Sequence, residues 1–293
     1  MLLTAVASVF FGAGYSAHSA SASGWAVVFA DNFDGTSLDL TKWYTRFIDD
    51  NGTLDHYKNE LERYRDGDHH VVQDGILSLV ANTPDAGSGG YYPSGMIRSS
   101  YTFRYGYLEA RIKMPPGRGL WPAFWLLSGY DANHRLGWPP EIDVMEYAPN
   151  LVTEFPDMVH SNVGVGSTGV QGGKWYWRDA AFNPTYHFYK AGVDLTEDWH
   201  VYGMLWQPNT VTVYLDGKRL WYRTYHWIYN DKAQAGPAYI LINLAVGGGW
   251  AGAGGIDNSA FPAKLQVDYV RVCQRSDAAN APARCAGSRY APE

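Results

Sequence analysis

Short apolar or alternating segments, separated by Gly, Pro, Asn and Asp, follow one another from Trp25 onward. Successive side chains of a strand point to opposite faces, so runs of about 4–8 residues with this pattern favour strands. No longer stretch has a convincing helical period. The dipeptide Asp216-Gly217 between two such runs predicts a hairpin. The predicted strands include residues 75–80, 104–113, 199–206, 210–215, 218–222, 239–246 and 265–272.

Many short strands joined by turns rich in Gly and Pro are typical of a sandwich or a barrel, so the sequence predicts an all-β fold. Residues 148–198 interrupt the pattern, because this segment is rich in Gly at first and then in Tyr, Trp and His. A long irregular segment in a compact β domain is usually functional or disordered. We interpret it as the wall or rim of a binding cleft.

The two ends of the chain differ in composition from the rest. Leu2 to Tyr15 is almost entirely apolar, and small residues follow it, as in the apolar region and cleavage site of a signal peptide. Residues 1–22 are therefore predicted to be a signal peptide, with a disordered leader as the alternative. Residues 23–273 form the predicted β domain. Residues 274–293, rich in Ala, Pro and Arg, form a predicted peripheral tail.

Export through a signal peptide would make this a secreted protein, extracellular or periplasmic, and would permit a disulfide. Cys273 and Cys285 could form one, and two unpaired thiols are the alternative. On the chain-entropy model, a bridge that closes a loop of about 13 residues contributes roughly 3 kcal/mol. Beyond the leader, no segment is long and apolar enough to span a bilayer, so no membrane partner is expected.

The charge balance argues against polyanionic partners. The chain carries 23 Lys and Arg against 29 Asp and Glu, a net charge of −6, and it has no basic run. No nucleic-acid partner is expected, because the basic footprint of such a protein is missing. Tyr and Trp number 22 and 12 against 11 Phe, which favours rings with a polar edge that serve half-exposed surfaces as well as cores. A neutral, hydroxyl-rich ligand fits this composition.

Three acidic residues, Glu141, Asp143 and Glu146, lie within one short β-like segment. Strict alternation places the first two on one face and Glu146 on the other face, together with the apolar Val144. An ionised carboxylate on that apolar face would be costly. One inserted residue, a β-bulge near Val144-Met145, would return Glu146 to the face of the other two acids. We therefore predict that bulge.

Two Glu carboxyl groups on one face can cleave a glycosidic bond. When such a pair lies about 5–5.5 Å apart, no water fits between base and sugar, so one carboxylate attacks the anomeric carbon and the other protonates the leaving oxygen. Asp143 would orient the attacking group and, through its charge, raise the pKa of the acid. The alternative is an exposed acidic edge strand whose charges block aggregation.

The segment Glu141-Ile-Asp-Val-Met-Glu146 resembles the signature of glycoside hydrolase family 16, in the bulged form of its laminarinase-like members. The resemblance implies a β-jelly-roll sandwich of two curved antiparallel sheets, with the substrate cleft on the concave face and a catalytic domain over residues 23–273. Supporting segments occur in the family's order: Asn59-Glu60-Leu61, Tyr105 to Lys113, Leu120 to Leu126, Leu244 to Gly248 and Val267 to Val272.

The same resemblance implies the site residues. Glu141 would be the nucleophile, Asp143 its helper and Glu146 the acid/base. No cofactor is implied for catalysis, but the family's structural calcium would use Asp268. For Trp121 and Trp125, the alternative to substrate contact is a place in the core. The implied substrate contacts are Asn59, Arg98, Trp121, Trp125, His160, Asn243 and Trp250.

The predicted function is that of a secreted, monomeric, retaining endo-hydrolase of β-1,3- or mixed β-1,3/1,4-glucan. Residues 147–150 and 151–198 depart from the family's usual laminarinase pattern, which leaves the linkage specificity open. A bacterial exopolysaccharide is therefore the alternative substrate, and transglycosylation is an alternative outcome on the same intermediate. A non-catalytic carbohydrate-binding protein is the third alternative.

Overall fold

The computed structural model describes residues 25–57, 59–177, 179–275 and Cys285. The predicted signal peptide and most of the predicted tail lie outside the described residues. Within the described part of the chain, no helix has the length and apolar character needed to cross a bilayer.

Extended segments dominate the described chain, as the sequence pattern predicts. Helical segments are short: α1 (Asp49–Gly52), α2 (Gly248–Ala251) and the 3-10 turns Gly252–Gly254 and Asn258–Ala260. In chain order, the strands are β1 (Trp25–Asp31), β2 (Trp43–Tyr44), β3 (Glu62–Tyr64), β4 (His70–Gln73), β5 (Ile76–Ala81), β6 (Tyr92–Ser94), β7 (Met96–Phe103), β8 (Gly106–Lys113), β9 (Leu120–Ser128), β10 (Glu141–Glu146), β11 (Met158–Gly164), β12 (Gly172–Trp177), β13 (Phe182–Asn183), β14 (Phe188–Lys190), β15 (His200–Gln207), β16 (Thr210–Leu215), β17 (Lys218–Tyr225), β18 (Ala238–Val246) and β19 (Ala263–Arg275).

Two antiparallel sheets contain nearly all of these described strands. The larger sheet is nine-stranded and has the order β12-β17-β16-β15-β8-β19-β5-β4, with β1 paired to β19. The cleft sheet is eight-stranded and has the order β13-β14-β11-β10-β9-β18-β7-β2. The short strands β3 and β6 form a parallel pair. The predicted Asp216-Gly217 hairpin joins β16 to β17, and the predicted all-β sandwich is confirmed.

Apolar side chains from both sheets form the core between them. In the larger sheet, Leu108, Ala110 and Ile112 point inward from alternate positions of β8. In the cleft sheet, Phe124 and Leu126 do the same from β9. A fully buried Leu or Phe side chain contributes about 1.5–3 kcal/mol relative to an exposed one. The alternation that predicts the strands is therefore also the pattern that stabilises the sandwich.

The segment 148–198 is not irregular throughout, contrary to the prediction from sequence. It contributes β11, β13 and β14 to the cleft sheet and β12 to the larger sheet. Strand β11 is buried at every position except Asn162, and β12 has no fully buried position. Neither arrangement produces the two-residue period from which strands were predicted.

The last strand extends past the predicted domain boundary and ends at Arg275. Cys273 and Cys285 form a disulfide with their Cα atoms 5.5 Å apart, which decides between the two alternatives that the sequence leaves open. Both cysteines are buried together with Tyr107 and Tyr214. The bridge therefore fastens Cys285, which belongs to the predicted tail, to the larger sheet.

Replacing Cys273 and Cys285 together by Ser should lower the free energy of unfolding by about 3 kcal/mol, because a bridge over a short loop restricts the unfolded chain. Chemical denaturation of the oxidised wild-type protein and of the double variant measures this difference. The reduced wild-type protein is the matched comparison and should resemble the variant. Equal unfolding free energies for the oxidised protein and the variant would contradict the prediction.

Candidate active site

The acidic strand β10 contains one residue more than a regular ladder accommodates. Its pairing with β9 shifts between Asp143 and Met145, and its pairing with β11 shifts over the same stretch. Val144 and Met145 are consecutive in sequence, yet both are buried in the core between the sheets. The extra residue lies where the sequence predicts a bulge. Its effect is to turn Glu146 to the cleft side of the sheet.

All three carboxyl groups, those of Glu141, Asp143 and Glu146, line one cavity of about 610 Å³. The floor of the cavity is formed by the neighbouring strands β9, β10 and β18. Residues from the segments 47–60 and 136–138 complete the lining, whereas no described residue of 148–198 does so. The segment 148–198 is therefore not a wall of this cavity, and its alternative place at the rim of the cleft stays a prediction.

Glu141 is fixed at both its backbone and its side chain. Its N–H donates to the hydroxyl of Tyr225 at 3.0 Å, and that hydroxyl donates to the carbonyl of Gly164 at 2.8 Å. The indole N–H of Trp138 donates to Oε2 of Glu141 at 3.0 Å. A donor on one carboxylate oxygen restricts the orientation of the group and stabilises its anion.

Glu146 accepts a hydrogen bond at Oε1 from the indole N–H of Trp121, at 3.2 Å. Burial, followed by the negative charge of Glu141, raises its pKa to about 7, and the Trp121 hydrogen bond opposes that rise. Near neutral pH, Glu146 is therefore divided between its acid and its carboxylate forms. A group in this state can both donate and accept a proton.

Asp143 is 7% exposed. Its burial, together with the charges of Glu141 and Glu146, raises its pKa well above the usual range. Burial therefore favours the protonated form of Asp143. The charge that raises the pKa of Glu146 belongs mainly to Glu141, and the predicted repulsion by Asp143 stays a prediction. When Asp143 is protonated, it has an O–H that it can donate to a neighbouring carboxylate.

Three of the residues implied as substrate contacts line the cavity, namely Trp121, Trp125 and Asn243. Both tryptophans are only partly buried, which favours the cleft over the core alternative. The indole N–H of Trp125 donates to Oδ1 of Asn243 at 2.7 Å, and Nδ2 of Asn243 donates to the hydroxyl of Tyr64 at 2.9 Å. These bonds hold the ring of Trp125 in place on the floor.

The other implied contacts lie outside the cavity lining. Arg98 is 8% exposed, donates from Nε to the carbonyl of Arg46 at 3.0 Å and lies over the ring of Tyr44. Asn59 is exposed. His160 and Trp250 are linked to each other by an edge-to-face ring contact of 4.7 Å. Substrate contact by these four residues stays a prediction.

Asp268, implied as the ligand of a structural calcium, accepts a hydrogen bond at Oδ2 from the guanidinium of Arg111 at 2.6 Å. The calcium site stays a prediction. Among the described residues, no group of three or more His, Cys, Asp and Glu side chains is placed to hold a metal ion.

Glu60 and Trp138 are among the lining residues with polar groups that were not predicted. Both left a signal in the sequence, since Glu60 is the centre of the Asn-Glu-Leu motif and Trp138 directly precedes the Pro-Pro that leads into Glu141. The charge of Glu60 also raises the pKa of Glu146. The lining residues Phe47, Tyr57 and Leu136 left no comparable signal.

Acidic side chains between tryptophans, in a cleft on one sheet of an antiparallel sandwich, define a glycoside hydrolase. The family model "Glycosyl hydrolases family 16" matches residues 57–271, and the chain belongs to this family. The predicted β-jelly-roll is the fold of its structural neighbours. Over 86% of this chain and 98% of the other, the laminarinase from Rhodothermus marinus superposes with a TM-score of 0.67 at 28% identity.

Two sequence relatives extend this similarity. The chain is 31% identical over 270 residues to the glucan endo-1,3-beta-glucosidase A1 of Niallia circulans, covering 85% of this chain and 38% of that protein. It is 30% identical over 279 residues to the beta-glucanase of Rhodothermus marinus, covering 88% of each. The chain thus spans well under half of the first relative and most of the second.

Replacing Trp121 by Phe should raise the pKa of Glu146 above about 7, because the variant loses the donor that stabilises the carboxylate. The expected rise is up to about one pH unit. NMR titration of the Glu146 carboxyl carbon measures it. Trp125→Phe is the matched control, since the Trp125 indole donates to Asn243. A lowered pKa in the first variant, or an equal rise in both, would contradict the prediction.

Proposed function

We propose that this protein is a retaining endo-glycoside hydrolase of β-1,3- or mixed β-1,3/1,4-glucan. The observation that carries the proposal is the shared cavity of Glu141 and Glu146, at the ends of one strand whose extra residue brings both to the same side. The β-glucan substrate is supported by the glucanases of Niallia circulans and Rhodothermus marinus to which the chain is similar.

In the proposed reaction, Glu141 attacks the anomeric carbon while Glu146 gives its proton to the departing glycosidic oxygen. The bond from the sugar to the leaving oxygen breaks, and an ester forms between the sugar and Glu141. Water then attacks the same carbon while Glu146 takes a proton from the water, and Glu141 leaves as a carboxylate. Two inversions at one carbon retain its configuration.

The electrostatics of the cleft suit both halves of this cycle. While Glu141 is an anion, its charge helps keep Glu146 protonated near neutral pH. Once Glu141 is esterified, this charge is gone, so the pKa of Glu146 falls and the group becomes the base that the second step needs. When Asp143 is protonated, which its burial favours, it can donate a hydrogen bond to Glu141 and so assist the departure of that carboxylate.

We also propose that the protein is secreted. The disulfide between Cys273 and Cys285 supports this, because such bridges persist in oxidising compartments. The apolar character of residues 1–22 is the second supporting feature. That the protein acts as a monomer stays a prediction.

The catalytic roles predict different defects for the two glutamates. Glu141→Ala should abolish hydrolysis of a soluble β-1,3-glucan, because no nucleophile remains. Glu146→Ala should lower the rate of glucan hydrolysis by about 10²–10⁴-fold. It should leave kcat/KM for nitrophenol release from a nitrophenyl β-glycoside nearly unchanged, because this leaving group needs little protonation. Added azide should give the α-glycosyl azide with the first variant and the β-glycosyl azide with the second.

Glu197→Gln, a carboxylate-to-amide change on an exposed turn, is the control and should retain wild-type rates. NMR of the first product of the wild-type enzyme should show the β-anomer. An initial α-anomer would exclude the assigned roles. Release of reducing ends from a panel of β-glucans and bacterial exopolysaccharides identifies the substrate, and cleavage of an exopolysaccharide alone would overturn the β-glucan proposal.

A further inference from the structure

Glu154 lies outside the carboxylate cavity and uses both of its side-chain oxygens within the protein. Its Oε2 is 2.7 Å from Nε2 of His160, and its Oε1 accepts a hydrogen bond from the indole N–H of Trp250 at 3.2 Å. The side chain is only 12% exposed. A carboxylate buried to this extent is costly unless it is paired, so its two partners and the group itself stabilise one another.

The first partner of Glu154 faces the acid. His160 on β11 is the cross-strand neighbour of Glu146 on β10. A carboxylate only accepts hydrogen bonds, so the contact with Glu154 requires the proton of the imidazole at Nε2. Glu154 therefore selects the tautomer of a histidine that lies beside the group assigned to protonate the leaving sugar.

The second partner reaches the acid from another direction. The ring of Trp250 contacts the ring of Trp121 edge to face, with centroids 5.1 Å apart. Trp121 is the residue whose indole N–H donates to Glu146. Glu154 is thus linked to Glu146 by two routes: through His160, the cross-strand neighbour of Glu146, and through Trp250 and Trp121, whose indole donates to Glu146.

The segment that carries Glu154 is held by Asn150, which is fully buried. Its Oδ1 accepts hydrogen bonds from the backbone N–H groups of Val152, Thr153 and Glu154, at 2.8, 2.9 and 3.2 Å. Its Nδ2 donates to the carbonyl of Trp250 at 3.1 Å. Glu154 and Trp250 are therefore anchored to the same side chain, which makes their separation a fixed property of the fold.

We infer that Glu154 is a positioning residue for the leaving-group side of the cleft: it holds His160 and Trp250 so that the departing sugar and the carboxyl of Glu146 stay aligned. This inference rests on the proposed function. It assigns Glu154 no contact with the reacting atoms. Its effect should be largest where a leaving sugar must be placed and protonated, and small where the leaving group is an activated phenol.

The test compares Glu154→Leu with the wild-type protein on two substrates, a soluble β-1,3-glucan and nitrophenyl β-laminaribioside. Misplacement by about 1 Å can cost up to about 100-fold in rate, so kcat/KM on the glucan should fall by about 10- to 100-fold. On the nitrophenyl substrate it should change little. Glu154→Gln keeps an acceptor for Trp250 and loses the anionic partner of His160, so an intermediate fall is expected.

Asp157→Asn is the matched control, because it removes a carboxylate from the same segment. The backbone carbonyl of Asp157, which accepts a hydrogen bond from the N–H of Ala191, is retained in this variant. It should leave both substrates unaffected. A second readout needs no activity: the indole N–H resonances of Trp250 and Trp121 should shift in Glu154→Leu and not in the control.

Equal losses on both substrates in Glu154→Leu, or unshifted indole resonances, would overturn the inference. A wild-type protein that leaves both substrates uncleaved would instead overturn the proposed function, and the indole resonances would still report on the Glu154 contacts. If Glu154→Leu does not fold, Glu154→Gln decides: a selective fall on the glucan supports the inference, and no selective fall excludes it.

Discussion

The burial of two consecutive apolar side chains in β10 is the constraint on which the site depends. Val144 and Met145 both point into the core, which a regular strand cannot achieve because its side chains alternate. In a regular strand, Met145 would face the cleft and Glu146 would face the core, where an unpaired carboxylate is costly. The core therefore sets the direction of Glu146, and the acidic face of β10 results from apolar packing on the opposite side.

Once Glu146 is in the cleft, its electrostatics follow from its neighbours. Three carboxyl groups so close together cannot all be ionised at small cost. The burial of Asp143 favours its neutral form, and the charge of Glu141 raises the pKa of Glu146. Each group is distinguished by what surrounds it, since Trp138 donates to Glu141 and Trp121 donates to Glu146. These carboxyl groups share the same chemistry, and their different surroundings give them different properties.

The sequence predicted the parts of this protein that follow from local alternation. Strands β5, β8, β15, β16, β17 and β19 of the larger sheet leave a pattern within a few residues. The Asp216-Gly217 hairpin and the extra residue of β10 do so as well. The strands within 148–198 leave none, because β11 is buried on both faces and β12 lies at a sheet edge. The pairing of Glu154 with His160 and Trp250 leaves no pattern either, since Trp250 follows β18, which is distant in sequence and lies two strands from β10 in the cleft sheet.

The surroundings of Glu146 suggest a way in which proteins of one fold can keep the same reaction while their substrates differ. Strand β10, which carries both Glu141 and Glu146, is central in the cleft sheet, and core packing on its inner face restrains any change. Glu60, which also raises the pKa of Glu146, and Trp138 come from the segments that line the cavity. Such segments lie at the surface and tolerate change more readily than central strands. Core packing therefore restrains Glu141 and Glu146, whereas Glu60 and Trp138 lie on lining segments that the core constrains less.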